Sequence, residues 1–171
     1  SLNAGSLWGR PFYILREAWN ILNAIAEGKI ESGDEKKLNA LKGETMAVIA
    51  LCQFDLTRCF GYPYTKDKGA SLGAPLIDHL VGTYENPPRS TVAQAYDFII
   101  ETLEEAVTLM SEEKNNGRMN KYAARALLAR IYLYHDDNRK AFDLADQLIK
   151  DADTSGSYAL YPHEKYVAAW S

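Results

Sequence analysis

Apolar residues recur at three- and four-residue intervals along most of the chain, a period that predicts about five main helices. The first covers roughly 7–27. Phe12, Leu15, Trp19, Leu22 and Ala26 form one stripe and Ile14, Ala18, Ile21 and Ile25 an adjoining one, so it reads as bulky and well buried. Pro11 fits only its first turn, and Gly28 ends it. The second, 34–61, carries no charge from Met46 to Cys52, which predicts contact on several sides. Gly43 inside it points to a close approach by another helix, and Gly61 is expected to close it in the left-handed conformation. Thr91 and Gln94 form a capping box before Val92, Ala95, Ile99, Leu103, Ala106, Val107 and Met110, with Glu101, Glu104 and Glu105 opposite. Asn120 caps a fourth helix, 121–135, on Ala124, Leu127, Leu128, Ile131 and His135, with Ala123, Ala126, Ala129 and Leu133 filling much of the rest. The fifth, 139–151, places Ala141, Leu144, Ala145, Leu148 and Ile149 on one face. The short turn Asp136-Asp137-Asn138 makes the last two an antiparallel hairpin.

The connections differ in kind. Glu31-Ser32-Gly33-Asp34 and 111–117 are polar turns, 158–161 looks extended, and the chain ends in the apolar Tyr166-Val167-Ala168-Ala169-Trp170. Residues 61–89 hold four of the six prolines, which marks an inserted loop rather than a sixth helix. Irregular connections this long are uncommon in compact domains and often carry function.

Composition narrows the class. With 171 residues and 47% hydrophobic content the chain can bury roughly 70% of its unfolded surface, so residues 1–171 read as a single helical domain. A net charge of −4 with scattered Lys and Arg argues against nucleic acid as a partner. Cys52 and Cys59 would lie about 10.5 Å apart on one helix, beyond disulfide reach, and read as small core residues that leave the compartment open. No apolar run is long enough to span a bilayer, and Ser1 is not followed by a basic and then an apolar leader. Either the protein is natively soluble or a targeting segment has been removed. A chain ending on Trp170 suggests a longer native protein.

Leu128 and Ala129 take the large-small pair of a tetratricopeptide first helix, Tyr132 lies three on, and Ala141 and Ala145 are the small residues of the second. The usual closing proline is absent, and a generic helical hairpin fits as well. The second and third helices form another such pair, Ala50 and Leu51 against Ala95 and Ile99, split by the long loop. The fold class is therefore all-α, with tetratricopeptide-like antiparallel helix pairs and one long inserted loop.

Longer blocks carry a family resemblance. Gly43, Glu44, Ala50, Phe54, Asp55, Leu56, Arg58, Phe60 and Gly61, continued by Pro63-Tyr64, are similar to a signature helix of the SusD/RagB family. Arg89, Thr91, Val92, Tyr96, Ile99, Leu103, Glu104, Glu105 and Ala106 resemble its next helix. Gly117, Arg118, Lys121, Ala123, Ala124 and the run from Ala126 to Tyr134 resemble the one after, and Ala141, Ala145, Ile149, Tyr158 and Leu160 follow the pattern onward. Two arginines of the family's first motif are replaced by Met46 and Ile49. The resemblance implies the tetratricopeptide-like portion of a longer surface glycan-binding lipoprotein of the outer membrane in Bacteroidetes. It implies as partners a SusC-like TonB-dependent transporter and an oligosaccharide, with membrane attachment only through a lipid anchor that this chain does not contain. The portion in hand would act as helical scaffold and transporter-docking surface, most of the family's glycan contacts lying elsewhere.

No catalytic, metal or cofactor constellation emerges from the sequence. His79, His135 and His163 are widely spaced, phosphate-binding glycine loops and nucleophile elbows are missing, and the pairs Glu104-Glu105 and Glu112-Glu113 sit on solvated stretches. Binding a sugar requires aromatic faces and planar polar side chains. Trp8, Tyr62, Tyr64 and Tyr84 are the candidate aromatics, with Asn86 and Arg89 as polar neighbours. The competing reading is that these tyrosines only pin the loop to the helices. Two other functions stay open: a tetratricopeptide-type adaptor gripping peptide segments, and part of a helical glycoside hydrolase.

Overall fold

The computed structural model of the protein describes residues 4–30, 33–115, 117–159 and 161–170. Its five long helices are α1 (Ala4–Ala26), α2 (Glu35–Phe60), α3 (Val92–Leu109), α4 (Lys121–Tyr134) and α5 (Asn138–Ser155). Two short strands, β1 (Leu72–Pro75) and β2 (Arg89–Thr91), pair antiparallel between α2 and α3. Local chemistry sets the helix ends. The Asp34 carboxylate accepts from the amides of Lys36 and Lys37 at the start of α2, and Asn120 and Asp137 do the same for α4 and α5. The capping box of α3 forms on both arms, Thr91 Oγ1 accepting from Gln94 N and Gln94 Oε1 from Thr91 N.

α2 and α3 pack along their lengths as one antiparallel pair and α4 and α5 as another, with α1 laid against α2. Two apolar clusters result. One joins α2, α3 and α4 through Met46, Ala50, Phe54, Ile99, Leu103, Leu128 and Ile131. The other joins α1, α2 and the loop through Leu15, Ala18, Ile49, Leu56, Ala74 and Ile77. α2 contributes to both, as its uncharged centre predicts. Gly43 is the contact that permits this: a Cβ there would lie 2.8 Å from Met110 Cγ and 2.9 Å from the Ala106 carbonyl oxygen.

Several expectations are corrected. α1 starts before residue 7, which leaves Pro11 inside the helix; only the amide that would serve Leu7 is lost, and Leu7 is itself exposed to water. The second stripe of α1 is buried only at Ala18, because the helix packs mainly on α2, and Ile14 and Ile21 face solvent. Gly61 has φ −108°, not a left-handed angle; glycine is required there because a Cβ would meet the Thr57 oxygen at 2.7 Å. Cys59 is exposed while Cys52 is buried, so only one of the two is a core residue. α5 extends to Ser155, and its Ile149 is exposed rather than packed. The turn at Glu31-Ser32, Asn116 in the 111–117 turn, Leu160 in the 158–161 stretch and the Trp170 side chain lie outside the described residues. Among the described residues, no helix is long and apolar enough to cross a membrane.

Candidate functional site

The 61–89 insertion is an ordered strap, and the residues that order it belong mostly to the helices. After Pro63, residues Tyr64–Lys66 make one 3-10 turn, and Lys68 and Gly69 adopt positive φ to reverse the chain. Gly69 admits no side chain, since a Cβ would sit 2.6 Å from the Ala93 amide. The gain is a backbone cap: the free amides of Val92 and Ala93 in the first turn of α3 donate to the carbonyls of Ser71 and Gly69, both at 2.9 Å. β1 then pairs with β2, Leu72 opposite Thr91 and Pro75 opposite Arg89. The Arg89 guanidinium folds back to donate to the Gly73 and Leu72 carbonyls, at 2.7 and 3.0 Å.

The centre of the strap is held from below. Gln53, fully buried in α2, donates through Nε2 to the Pro75 carbonyl at 3.1 Å and accepts through Oε1 from the Ile77 amide at 3.3 Å. Trp19 of α1 donates Nε1–H to the Ile77 carbonyl at 3.1 Å. Three polar contacts therefore seat the segment from Pro75 to Ile77 between α1 and α2, and the burial of Ala74 and Ile77 completes the seat.

Beyond Ile77 the strap rises into a tip. The His79 ring is gripped on both nitrogens, Nδ1 by Asp78 Oδ1 at 2.6 Å and Nε2 by Glu85 Oε1 at 2.7 Å. The other Glu85 oxygen accepts from the Gly82 amide at 3.0 Å, closing a turn that carries Tyr84. Hydrogen bonds to the carboxylates of Asp78 and then Glu85 raise the His79 pKa above its ordinary value. The Gly82 amide, followed by His79, holds Glu85 below its own. The tip separates two grooves. One, against α1, has a volume of about 500 Å³ and is lined by Phe12, Arg16, Ile77, His79, Val81 and Asn86. The other, against α3, is about 670 Å³ and acidic, with Asp78, Glu85, Asp97 and Glu101 on its walls.

Placed on this frame, the four candidate aromatics separate. Trp8 lies on α1, edge-on to Phe60 at 4.7 Å, and spends much of its surface there. Tyr62 is exposed but has the Lys66 ammonium 3.1 Å over one face. Tyr64 is a pin: its ring meets Tyr96 at 5.7 Å and His135 at 4.2 Å, where the His135 Nδ1 is buried without a hydrogen-bond partner among the described residues. Tyr84, 96% exposed, has both faces open. Among the described residues no ring contact joins any two of the four. Of the polar neighbours, Arg89 is committed to backbone carbonyls, whereas Asn86 lines the groove beside α1. Sequence reasoning overlooked Gln53, Trp19 Nε1 and the His79 grip. The signal for the first was present: an uncharged polar residue in a run apolar on all sides must find a partner.

The arrangement can stack one ring on the anchored strap and offer the Asn86 amide and, from α1, the Arg16 guanidinium to hydroxyls. Among the described residues no group of three or more His, Cys, Asp or Glu side chains is placed to hold a metal ion.

Comparison with known proteins gives the context. A family model described as SusD-like, starch-binding and associating with the outer membrane matches residues 3–133. A SusD superfamily protein from Bacteroides thetaiotaomicron VPI-5482 is 40% identical with a TM-score of 0.88, over 93% of this chain and 34% of that one. A candidate sugar-binding protein from Bacteroides vulgatus ATCC 8482 is 38% identical with a TM-score of 0.91, over 99% of this chain and 38% of that one. Surface glycan-binding protein A from Bacteroides uniformis shares the fold at 18% identity, with a TM-score of 0.75 over 94% of this chain and 34% of its own. The chain thus spans little more than a third of these relatives. No curated protein matches it.

Proposed function

The chain belongs to the SusD-like family, and from that premise we propose that it is the helical scaffold portion of a non-catalytic glycan-binding protein of an outer-membrane import system. The observation that carries this reading is the family match across residues 3–133, which covers α1 to α4 and the whole strap. In this reading the paired helices α2/α3 and α4/α5 form the rigid body, and one face docks a SusC-like TonB-dependent transporter. A lipid anchor holds the protein at the cell surface. The work is capture and hand-over, with no bond made or broken.

If this portion touches the sugar, the contact is the strap tip. Tyr84 offers an open ring, while Asn86 and Arg16 border the adjacent groove with donors and acceptors. Trp8, Tyr62 and Tyr64 act mainly by packing. Relatives named for sugar and glycan binding support the ligand class. Two measurements test the proposal. The full-length protein isolated from its membrane should bring a TonB-dependent barrel with it; recovery without one overturns the docking role. Calorimetric titration with neutral oligosaccharides should show binding that Tyr84→Ala weakens, and reducing ends released from any of those glycans would overturn the non-catalytic assignment.

A further inference from the structure

At the end of α2 and along α4, two arginines converge on one phenol. Arg58 and Arg130 lie on different helices, yet their guanidinium carbons sit 5.6 and 5.7 Å from the Phe54 ring and each 5.9 Å from the Tyr134 ring. Phe54 is fully buried and Tyr134 stands edge-on to it at 5.3 Å. Both cations are therefore within cation–π reach of the same buried ring. Both guanidinium groups lie near the Tyr134 hydroxyl and hold that phenol below its ordinary pKa, Arg58 first and then Arg130. The charges do not cancel. Arg58 pairs with Asp55 at 2.8 Å, but among the described residues Arg130 has no carboxylate within salt-bridge reach. Tyr134 is 41% exposed and Arg130 is exposed as well, so the surplus positive charge faces solvent.

We propose that Arg58, Arg130 and Tyr134 form a binding site for an oxyanion, a carboxylate or sulfate ester borne by a glycan. Two guanidinium groups and a phenol O–H gathered on one exposed patch are donors of the kind that grip a planar or tetrahedral oxyanion. Cation–π contact with Phe54 and Tyr134 draws both side chains toward the same patch before the ligand arrives. Asp55 offsets the charge of Arg58, so the net surplus at the patch is the single charge of Arg130. That the anion sits on a sugar rests on the proposed function; the oxyanion chemistry itself does not.

The test is titration of the protein, by calorimetry or by chemical-shift changes of the arginine side chains, with four probes: an acidic oligosaccharide containing uronic acid, the same oligosaccharide with its carboxyls reduced, free glucuronate, and inorganic sulfate. The acidic oligosaccharide should bind, Arg130→Gln should weaken it about tenfold or more, and added salt should weaken it further. Arg130→Lys, which keeps the charge but loses the fork, should recover only part of the affinity. Circular dichroism and melting of the exposed Arg130 variants confirm that folding is intact. Free sulfate or glucuronate binding as tightly as the oligosaccharide overturns the glycan assignment and leaves a simple anion site. Equal binding of acidic and reduced oligosaccharides, unaffected by Arg130→Gln, overturns the site but leaves glycan capture at the strap tip standing. Binding of none of the four overturns it outright.

Discussion

Replacing Gln53 by Leu should release the strap without unfolding the helices. Leu fills much the same volume but can neither donate to the Pro75 carbonyl nor accept from the Ile77 amide. Each buried group left unsatisfied costs about 1–3 kcal/mol. The two together exceed what the added apolar surface of Leu returns, so a net loss of about 2–4 kcal/mol is expected. The loss is capped because the segment has an alternative: it can lift away, giving up the burial of Ala74 and Ile77, a term of similar size. For a chain of this size the melting temperature should fall by about 5–15 °C. Amide hydrogen exchange locates the effect. Ile77 and its strap neighbours should lose protection while the centres of α2 and α3 keep theirs, a local opening rather than a global one. Trp19→Phe removes the third contact to the same segment, so the double variant should lose less than the sum of the singles. A melting temperature unchanged within about a degree, or wild-type protection at Ile77, would refute the idea that Gln53 seats the strap.

Gly43→Ala places a Cβ within 3.0 Å of three atoms of α3 and Met110, one of them a backbone oxygen. Overpacking of about 1–3 kcal/mol should outweigh the helix-propensity gain of about 1 kcal/mol, read as a lower urea midpoint with unchanged slope. Glu44→Ala frees Arg118, donating through Nε at 2.9 Å, and the Met119 amide at 3.1 Å, loosening the α3–α4 connection; a loss of about 1–2 kcal/mol is expected in urea unfolding. The His79 grip is pH-dependent with a definite sign. Its raised folded pKa means the contribution is complete below the unfolded value and fades as pH rises through the folded one, while Glu85, depressed, loses its share as pH falls through its own folded value. Between these limits the Gly82 amide protection factor, corrected for intrinsic exchange, should be highest; a protection factor that stays the same beyond either limit sinks the coupling. Cys52, whose thiol burial lifts to about 11, should resist a thiol reagent that labels exposed Cys59, so the native protein should take up one equivalent and the denatured protein two.

Most of the helical frame was legible because its determinants are local. The capping box at Thr91 and Gln94 and the N-caps at Asn120 and near Asp34 concern residues within one turn of each other, and the uncharged run from Met46 to Cys52 states its own burial. Errors arose where a neighbour decides. Nothing in α1 says which of two equally apolar stripes will meet α2, and the helical period of α5 alone does not tell that Ile149 stays exposed. The reason for Gly61 could not be read from a glycine at a helix end, since the atoms that exclude a side chain include Val92, thirty-one places on.

The strap is the extreme case of that limit, and it bears on what the site can do. Its own sequence, rich in proline and glycine, says only that it is not a helix. Its shape is written in Gln53, Trp19 and the first turn of α3, each of which also satisfies a demand of the helices: a buried amide needs a partner, an indole N–H needs an acceptor, a helix start needs its amides capped. Because scaffold and strap fill each other's unmet hydrogen bonds, the stretch from Gly69 to Ile77 should be as stable as the helices it caps. The tip from Asp78 to Pro88 is held instead by contacts that are exposed and titratable. In the proposed reading the seated stretch fixes the base of the turn that carries Tyr84, the ring proposed to meet a sugar. By that division of labour, substitutions at Gln53 or Trp19 should alter sugar affinity through the position of Tyr84, although neither side chain belongs to the tip.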